Sequence, residues 1–324
     1  MIHVLLTSPF RPEHLESFSD MEGFDFRWSE APSPEQLNSA EIIMGNPKGE
    51  WISRSPGLRW IQLAFAGSNL QAAFPEVAEK KILLTNLSGA FGQSISEIVL
   101  CYVLMLYKHL QLYRDHQLRR EWTDEGRQET PVGKRLLILG AGNIGEETAR
   151  LFRPFGCEII GLRRSSRDLP PCFDRIILPE ELDAELPEAD IVVCALPESA
   201  ETRGMINARR LNLLKPSALL INVGRGSLID QDALAEILQN NRIAGAALDV
   251  TDPEPLPASH SLWGCKNLIL TPHISGGSFG HLRATEETLF KICKTNLRRY
   301  ASGQPLLNLV DPATGYRVPE NRYS

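Results

Sequence analysis

Three residues with chemically active side chains stand in the second half of the chain, each just after an apolar segment of strand length. They are Arg225, Glu254 and His273. If those segments are parallel strands, their carboxyl ends meet at one edge of a sheet, which is where open α/β sheets bind ligands. A permanent cation, a carboxylate and an imidazole would then converge on one small molecule. The alternatives are an ordinary loop arginine, a turn glutamate between prolines, and a structural histidine.

A glycine-rich segment precedes these residues and matches the pattern G-x-G-x-x-G. Its residues are Gly140, Gly142, Asn143, Ile144 and Gly145. It follows the apolar segment 136–139 directly and opens a helical stretch. In that context the first glycine permits a tight turn, the second lets the backbone approach a pyrophosphate, and the third lets helix and strand pack closely. The sequence therefore predicts a dinucleotide site; the alternative is a strand-to-helix turn without a ligand.

The end of the next apolar segment bears on which dinucleotide is bound. An Asp or Glu about twenty residues after the fingerprint normally accepts hydrogen bonds from the ribose of NAD. Here Arg163, Arg164 and Ser165 stand at that place, with Arg167 two residues further on. Cations and hydroxyls suit the additional 2′-phosphate of NADP. We therefore expect NADP to be preferred, with NAD possible; a solvated basic loop is the alternative.

The apolar pattern predicts the elements that would position these residues. Expected strands lie at Ile2–Leu6, Glu41–Met44, Arg59–Ala64, Ile82–Thr85, Arg135–Leu139, Glu158–Leu162, Ile191–Ala195, Ala218–Val223, Gly245–Val250 and Leu268–Thr271. Most alternate with helix-length segments, which is typical of doubly wound parallel sheets. Apolar residues three or four apart predict one long helix over Ser94–Trp122 and another over Arg283–Tyr300.

This pattern predicts an α/β protein of two domains. A doubly wound, parallel-sheet Rossmann cofactor domain, residues 94–284, would be inserted into a smaller flavodoxin-like α/β substrate domain, residues 1–93 and 285–324. The 324 residues suffice for two domains of ordinary size.

Composition limits the possible partners. The formal net charge is −6, which argues against nucleic acid as a ligand. The longest apolar run, Ile98 to Leu106, is well short of the roughly 20 residues of a membrane-spanning helix. The N-terminus lacks a signal-peptide pattern, and the six cysteines include no C-x-x-C pair. We expect a cytoplasmic protein with reduced thiols and no metal site.

Several ordered motifs together resemble the D-isomer-specific 2-hydroxyacid dehydrogenase family over nearly the whole chain. Besides the fingerprint, they are the segments 64–69, 85–89 with Ser96-Glu97, Leu196-Pro197 with Thr202, 221–226, 247–250, 253–256 and 271–273. The resemblance implies reduction of a 2-keto acid by hydride from a nicotinamide cofactor. Arg225 would then bind the substrate carboxylate and carbonyl oxygen. His273 would donate the proton to that oxygen, and Glu254 would hydrogen-bond His273 and favour its imidazolium form.

The resemblance also assigns contacts outside this triad. Backbone N–H groups of Gly67 and Ser68 would meet the substrate carboxylate; an ordinary turn is the alternative. Asp249 would lie near the nicotinamide carboxamide. Pro197, Gly224 and Gly276 would supply close backbone or packing contacts to the cofactor.

Within the family, Arg163-Arg164 and the tail residues Val310-Asp311-Pro312 and Gly315-Tyr316 look most like glyoxylate/hydroxypyruvate reductases. Glu254 stands where formate dehydrogenases carry Gln, which disfavours formate oxidation. The substrate side chain would be recognised around Asn46, Phe65, Ser88 and Trp122. The long helix resembles the element through which family dimers form, so we expect a homodimer; packing of the helix within its own chain is the alternative. The alternatives are a short phosphoglycerate dehydrogenase, a dinucleotide-sensing corepressor-like protein and a catalytically silent family member.

Overall fold

The computed structural model describes residues 1–313, 315, 317 and 318, which form two units. One unit comprises Met1–Phe91 together with the chain from Gly277 onward, and the other comprises Gly92–Gly276. Each unit has its own parallel β-sheet and its own apolar core. The α/β class with two parallel sheets is therefore confirmed.

The discontinuous unit has a five-stranded parallel sheet in the order β2-β1-β3-β4-β5. Its strands are β1 Ile2–Leu6, β2 Phe24–Trp28, β3 Ile42–Met44, β4 Trp60–Gln62 and β5 Leu83–Thr85. Its helices are α1 Pro12–Ser19, α2 Pro34–Ser39, α3 Gly49–Ser53, α4 Asn69–Ala72, α5 Pro75–Glu79 and α12 Arg283–Ala301. Strand β2 was not predicted, because as an edge strand it pairs on one side only and carries Asp and Arg.

A buried polar group joins α12 to this sheet. The Asn296 side chain of α12 donates to Gln62 Oε1 at 2.9 Å, and Thr85 Oγ1 donates to the same oxygen at 2.9 Å. Trp60 Nε1 in turn donates to Thr85 Oγ1 at 2.8 Å. Buried polar atoms need such partners, so this network fixes the position at which the returning chain packs on the sheet.

The continuous unit has a seven-stranded parallel sheet in the order β12-β11-β10-β9-β6-β7-β8. Its strands are β6 Arg135–Leu139, β7 Glu158–Leu162, β8 Arg175–Ile177, β9 Ile191–Cys194, β10 Leu219–Asn222, β11 Gly245–Leu248 and β12 Leu268–Leu270. Its helices are α6 Gly92–Tyr107, α7 Leu110–Arg119, α8 Asn143–Phe152, α9 Leu182–Glu185, α10 Ala208–Leu211 and α11 Gln231–Gln239. Six of the seven strands were predicted; β8, the short edge strand, was missed. The strand order reverses beside β6, whose carboxyl end leads into the glycine-rich segment.

The single helix predicted over Ser94–Trp122 is wrong. The chain forms α6 and α7, bent by 64° at their junction, where His109 adopts a left-handed conformation with φ +56°. Buried side chains end with Tyr107 at the end of α6, and α7 has none. The apolar spacing continues through the break, but only the α6 half of the predicted helix has buried side chains. Packing therefore does not hold α7 in line with α6. In the described part of the chain no single helix is both long and apolar enough to cross a bilayer, although α6 and α7 taken together meet that criterion.

Candidate active site

The glycine-rich segment forms a backbone cradle between β6 and α8. Gly140 has φ +113°, and a Cβ there would lie 2.8 Å from the Ala195 carbonyl oxygen. A Cβ on Gly145 would lie 2.1 Å from the Gly140 carbonyl oxygen, so strand and helix approach too closely for any side chain. Gly142, by contrast, caps α8 and faces open space. The first N–H groups of a helix have no partner within it, so the cradle fits a dinucleotide pyrophosphate.

The basic residues after β7 lie in different environments. Arg163 is half-buried; its Nε donates to the Ala141 carbonyl oxygen at 3.2 Å and its Nη2 lies 3.6 Å from Glu146 Oε1. Arg164 and Ser165 are exposed and make no hydrogen bond or ion pair within the described residues. Arg163 therefore holds the fingerprint loop, while Arg164 keeps its charge available for an anion.

The loop that carries Arg225 is held from within by a buried asparagine. Asn222 is fully buried, accepts from Gly224 N at 3.1 Å and donates to the Arg225 carbonyl oxygen at 2.9 Å. The Arg225 side chain donates to the Gly224 carbonyl oxygen at 2.7 Å. Among the residues the structure describes, no carboxylate lies within ion-pair distance of its guanidinium. An unpaired guanidinium in a fixed loop suits a carboxylate ligand.

A glycine packs the Arg225 loop onto the loop that carries Glu254. A Cβ on Gly226 would lie 2.0 Å from the carbonyl carbon of Thr251. Thr251 N donates to Glu254 Oε1 at 3.0 Å, and the other carboxylate oxygen of Glu254 lies 3.0 Å from His273 Nδ1. Half of the His273 side chain is exposed. The sheet edge thus brings the loops of all three predicted residues together, with the imidazole open to a ligand.

The backbone of His273 is anchored to Asp249. His273 adopts a left-handed conformation with φ +55°, which is uncommon for a residue other than glycine. Its N–H donates to the Asp249 carbonyl oxygen at 2.8 Å, while Ile274 N and Ser275 N donate to Asp249 Oδ1 and Oδ2. Thr271 Oγ1 donates to Oδ1 at 2.7 Å. Asp249 is 1% exposed, and in this structure its carboxylate accepts hydrogen bonds from the loop that carries His273. Its predicted contact with the nicotinamide carboxamide stays a prediction.

In the discontinuous unit, the predicted anion loop presents free backbone donors. Asn46 Oδ1 accepts from Ala64 N at 3.1 Å and Asn86 Nδ2 donates to the Ala66 carbonyl oxygen at 2.8 Å, which holds the loop after β4. Within the described residues, the N–H groups of Gly67 and Ser68 donate to nothing. Gly67 is exposed and can offer its amide to an anion, whereas Ser68 is 3% exposed and its hydroxyl donates to the Gly315 carbonyl oxygen at 2.7 Å.

The other predicted contact residues vary in exposure. Pro197 is exposed and its carbonyl oxygen accepts from Thr202 Oγ1; Gly276 is half-buried. A Cβ on Gly224 would lie 2.6 Å from the Leu196 carbonyl oxygen, which requires glycine there. Among the predicted substrate-recognising residues, Ser88 is half-buried, whereas Phe65 and Trp122 are exposed and Trp122 lies beyond the end of α7.

Reasoning from the sequence missed two supporting residues, Asn222 and Tyr102. The first was noted only as part of a motif, and the signal for its role is an amide side chain at the buried end of a strand. In the sequence, Tyr102 is only one of the apolar residues that predict the long helix over Ser94–Trp122. In the structure, its hydroxyl lies 2.5 Å from Thr271 Oγ1. Burial raises the pKa of Tyr102 to about 12, so the hydroxyl stays protonated.

Comparison with known proteins gives consistent matches. Residues 100–275 match the family model described as D-isomer specific 2-hydroxyacid dehydrogenase, NAD binding domain. A glyoxylate reductase of Aeropyrum pernix is 31% identical, and the match covers 95% of each chain.

Two solved structures are similar over nearly their whole length. A D-isomer specific 2-hydroxyacid dehydrogenase family protein of Aeromonas salmonicida subsp. salmonicida A449 has a TM-score of 0.86 and 32% identity, covering 96% of this chain and 99% of the other. The NADPH-dependent glyoxylate/hydroxypyruvate reductase of Sinorhizobium meliloti, solved with NADP and sulfate, has a TM-score of 0.81 and 25% identity, covering 98% and 100%.

Proposed function

Since the chain belongs to the D-isomer-specific 2-hydroxyacid dehydrogenase family, we propose that it reduces a small 2-keto acid such as glyoxylate or hydroxypyruvate to the D-2-hydroxy acid, with NADPH preferred over NADH. The chain is an oxidoreductase that uses a nicotinamide dinucleotide. The observation that carries the proposal is the exposed His273 imidazole, hydrogen-bonded to Glu254 at 3.0 Å beside the loop of Arg225, which has no carboxylate partner among the described residues.

The His273–Glu254 pair is suited to proton transfer. Glu254 accepts from Nδ1, which orients the ring and leaves Nε2 for a ligand. His273 then donates a proton to the carbonyl oxygen as it becomes an alkoxide. The dinucleotide, when bound, supplies the hydride for C2 of the keto acid. In the reverse direction neutral His273 accepts the hydroxyl proton.

Arg225 is suited to orient the keto acid. Its guanidinium presents donors in a plane, which matches a carboxylate and the adjacent carbonyl oxygen together. Because Asn222 fixes both sides of the turn, little order has to be gained when the substrate binds. We also propose that the N–H groups of Gly67 and Ser68 bind the substrate carboxylate.

Cofactor preference is proposed to depend on the exposed Arg164 and Ser165, with Arg163 supporting the loop. A 2′-phosphate provides oxygens for both charge-assisted and hydroxyl hydrogen bonds. NAD has only a hydroxyl at the 2′ position of the ribose, and neither Arg164 nor Ser165 provides a carboxylate that would accept a hydrogen bond from it.

Steady-state oxidation of NADPH and NADH, followed with glyoxylate, hydroxypyruvate, pyruvate and phenylpyruvate, tests the proposal. We expect turnover with at least one of the first two. Glycolate from glyoxylate is achiral, so chiral analysis applies to the products of the other three keto acids and should show the D-enantiomer. His273→Ala should lose most of kcat and still bind the dinucleotide, as measured by fluorescence. Absence of turnover with every keto acid would contradict the reaction and favour a binding protein.

Cofactor preference has its own matched pair of variants. Arg164→Ala should lower kcat/KM with NADPH about 10-fold or more and leave kcat/KM with NADH within about twofold, because only a phosphate contact is lost. Arg167→Ala is the control, since Arg167 is already paired with Glu181 at 2.8 Å. A wild-type preference for NADH, or equal losses with both cofactors in Arg164→Ala, would refute the assignment.

We further propose that the protein is a homodimer that buries the α7 surface. Leu118 of α7 is 67% exposed and Trp122, just beyond α7, is fully exposed, and large exposed apolar side chains favour association. Sedimentation of wild type and Leu118→Glu tests this. The wild type should sediment as a dimer, and the variant should have a higher dimer dissociation constant. A monomeric wild type would refute it.

A further inference from the structure

Helix α6 contacts the His273 segment through a chain of part-buried hydrogen bonds. Tyr102, 3% exposed, has its hydroxyl 2.5 Å from Thr271 Oγ1, and Thr271 Oγ1 lies 2.7 Å from Asp249 Oδ1. A second contact comes from the beginning of the same helix, where Ser94 Oγ donates to the Ser275 carbonyl oxygen at 2.7 Å. The helix therefore holds both ends of the segment that carries His273.

The direction of these hydrogen bonds follows from the chemistry of the three groups. The Asp249 carboxylate accepts from the N–H groups of Ile274 and Ser275, and it is an acceptor for Thr271 as well. Thr271 has a single hydroxyl proton, which is committed to Asp249, so its oxygen can only accept from Tyr102. The raised pKa of the buried Tyr102 keeps that donor protonated at any working pH.

We propose that Tyr102 is a positioning residue for His273, acting through Thr271 and Asp249; this inference rests on the proposed function. Thr271, oriented by the tyrosine, supports the Asp249 carboxylate. That carboxylate in turn binds the amides that follow His273, and its backbone carbonyl binds the amide of His273 itself.

This support has an energetic reason. A left-handed conformation is disfavoured for a residue other than glycine, so the φ of +55° at His273 persists only when surrounding hydrogen bonds impose it. Loss of the Tyr102 hydroxyl weakens the imposed geometry without touching substrate or cofactor. The expected effect is a lower kcat with little change in KM.

Substitutions of Tyr102 and of Thr271 test this chain of hydrogen bonds. Tyr102→Phe keeps the ring and removes the donor, and Thr271→Val keeps the shape and removes both bonds, whereas Thr271→Ser keeps the hydroxyl. We expect kcat to fall about 5-fold in Tyr102→Phe and about 10- to 100-fold in Thr271→Val. Thr271→Ser should stay within about twofold of wild type, and KM for both substrates should be retained.

Tyr107→Phe is the matched control on the same helix. The Tyr107 hydroxyl is also buried but makes no hydrogen bond within the described residues. Hydrogen–deuterium exchange over peptides covering 271–276 supplies a readout that needs no turnover. The amides after Thr271 that donate to Asp249 should exchange several-fold faster in Tyr102→Phe and Thr271→Val, and at the wild-type rate in Tyr107→Phe.

The results separate this inference from the proposed function. If the wild type reduces no keto acid, the proposed function fails, and the exchange rates alone support or overturn the positioning role. In an active enzyme, faster exchange with reduced kcat and retained KM supports it. Wild-type exchange in Tyr102→Phe overturns it, as does faster exchange with unchanged kcat. Tyr102→Phe, which deletes one oxygen, keeps the test valid if Thr271→Val does not fold.

Discussion

Replacing Gly226 by alanine should separate two loops of the active site. The added Cβ would lie 2.0 Å from the carbonyl carbon of Thr251 and 2.5 Å from Asp252 N, and both atoms belong to the backbone. Carbon atoms in contact normally stay about 3.5 Å apart, so one loop has to move by roughly 1.5 Å. Because Thr251 N holds Glu254 and Glu254 holds His273, this movement displaces His273, the proposed proton donor, from Arg225.

The size of the effect follows from that displacement. A misplacement of 1 Å in a catalytic group can lower the rate by about 100-fold, so kcat should fall by about that factor. Overpacking of this kind also destabilises by about 1–3 kcal/mol. The fingerprint follows another strand, so dinucleotide affinity should fall far less than kcat, although the predicted cofactor contact Gly224 lies in the Arg225 loop.

The assay is NADPH oxidation with whichever keto acid the wild type reduces, combined with thermal unfolding and dinucleotide fluorescence. Gly264→Ala is the control, because a Cβ at Gly264 meets nothing within 4 Å; both its kcat and its stability should match the wild type. A Gly226→Ala enzyme with wild-type kcat and stability would refute the backbone contact between the Arg225 and Glu254 loops.

Three further outcomes are expected. Tyr107→Phe should raise the free energy of unfolding by about 1 kcal/mol in urea titrations, because it removes a buried hydroxyl that has no hydrogen-bond partner among the described residues. A free energy of unfolding below that of the wild type would contradict this. Hydrogen bonds to Glu125 and Glu121 raise the pKa of His116. The hydrogen bonds of His116 with the two glutamates therefore contribute fully to the free energy of unfolding below about pH 6.5, and this contribution is lost as pH rises through the folded-state pKa of His116. Urea titrations across pH should show that loss in wild type and not in His116→Gln. In the proposed reaction His273 donates a proton during reduction and accepts one during oxidation, so initial rates of reduction should fall and those of oxidation rise with pH; parallel profiles would argue against the proton-donor role.

Much of the cofactor loop could be predicted because its signals are local. Gly140 and Gly145 are required by one strand-to-helix turn, whose tight approaches involve near neighbours and one adjacent strand, whereas Gly142 faces open space. The predicted bounds of β6 and β7 agree with the structure for the same reason, since buried parallel strands are continuous apolar runs. The helix over Ser94–Trp122 failed because spacing records which residues are apolar, not whether anything covers them.

The sequence alone determined the class of fold, the family and the order of chemical groups along the strands, because these depend on periodicity and on motifs a few residues long. It placed the candidate proton donor, carboxylate and guanidinium at strand ends, where parallel topology makes their loops meet. Only the tertiary structure decided how those loops are held. The contacts of Gly226 with Thr251 and of Tyr102 with Thr271 join residues far apart in the chain. They arise from close packing of backbone and buried hydroxyl groups, which no local pattern encodes.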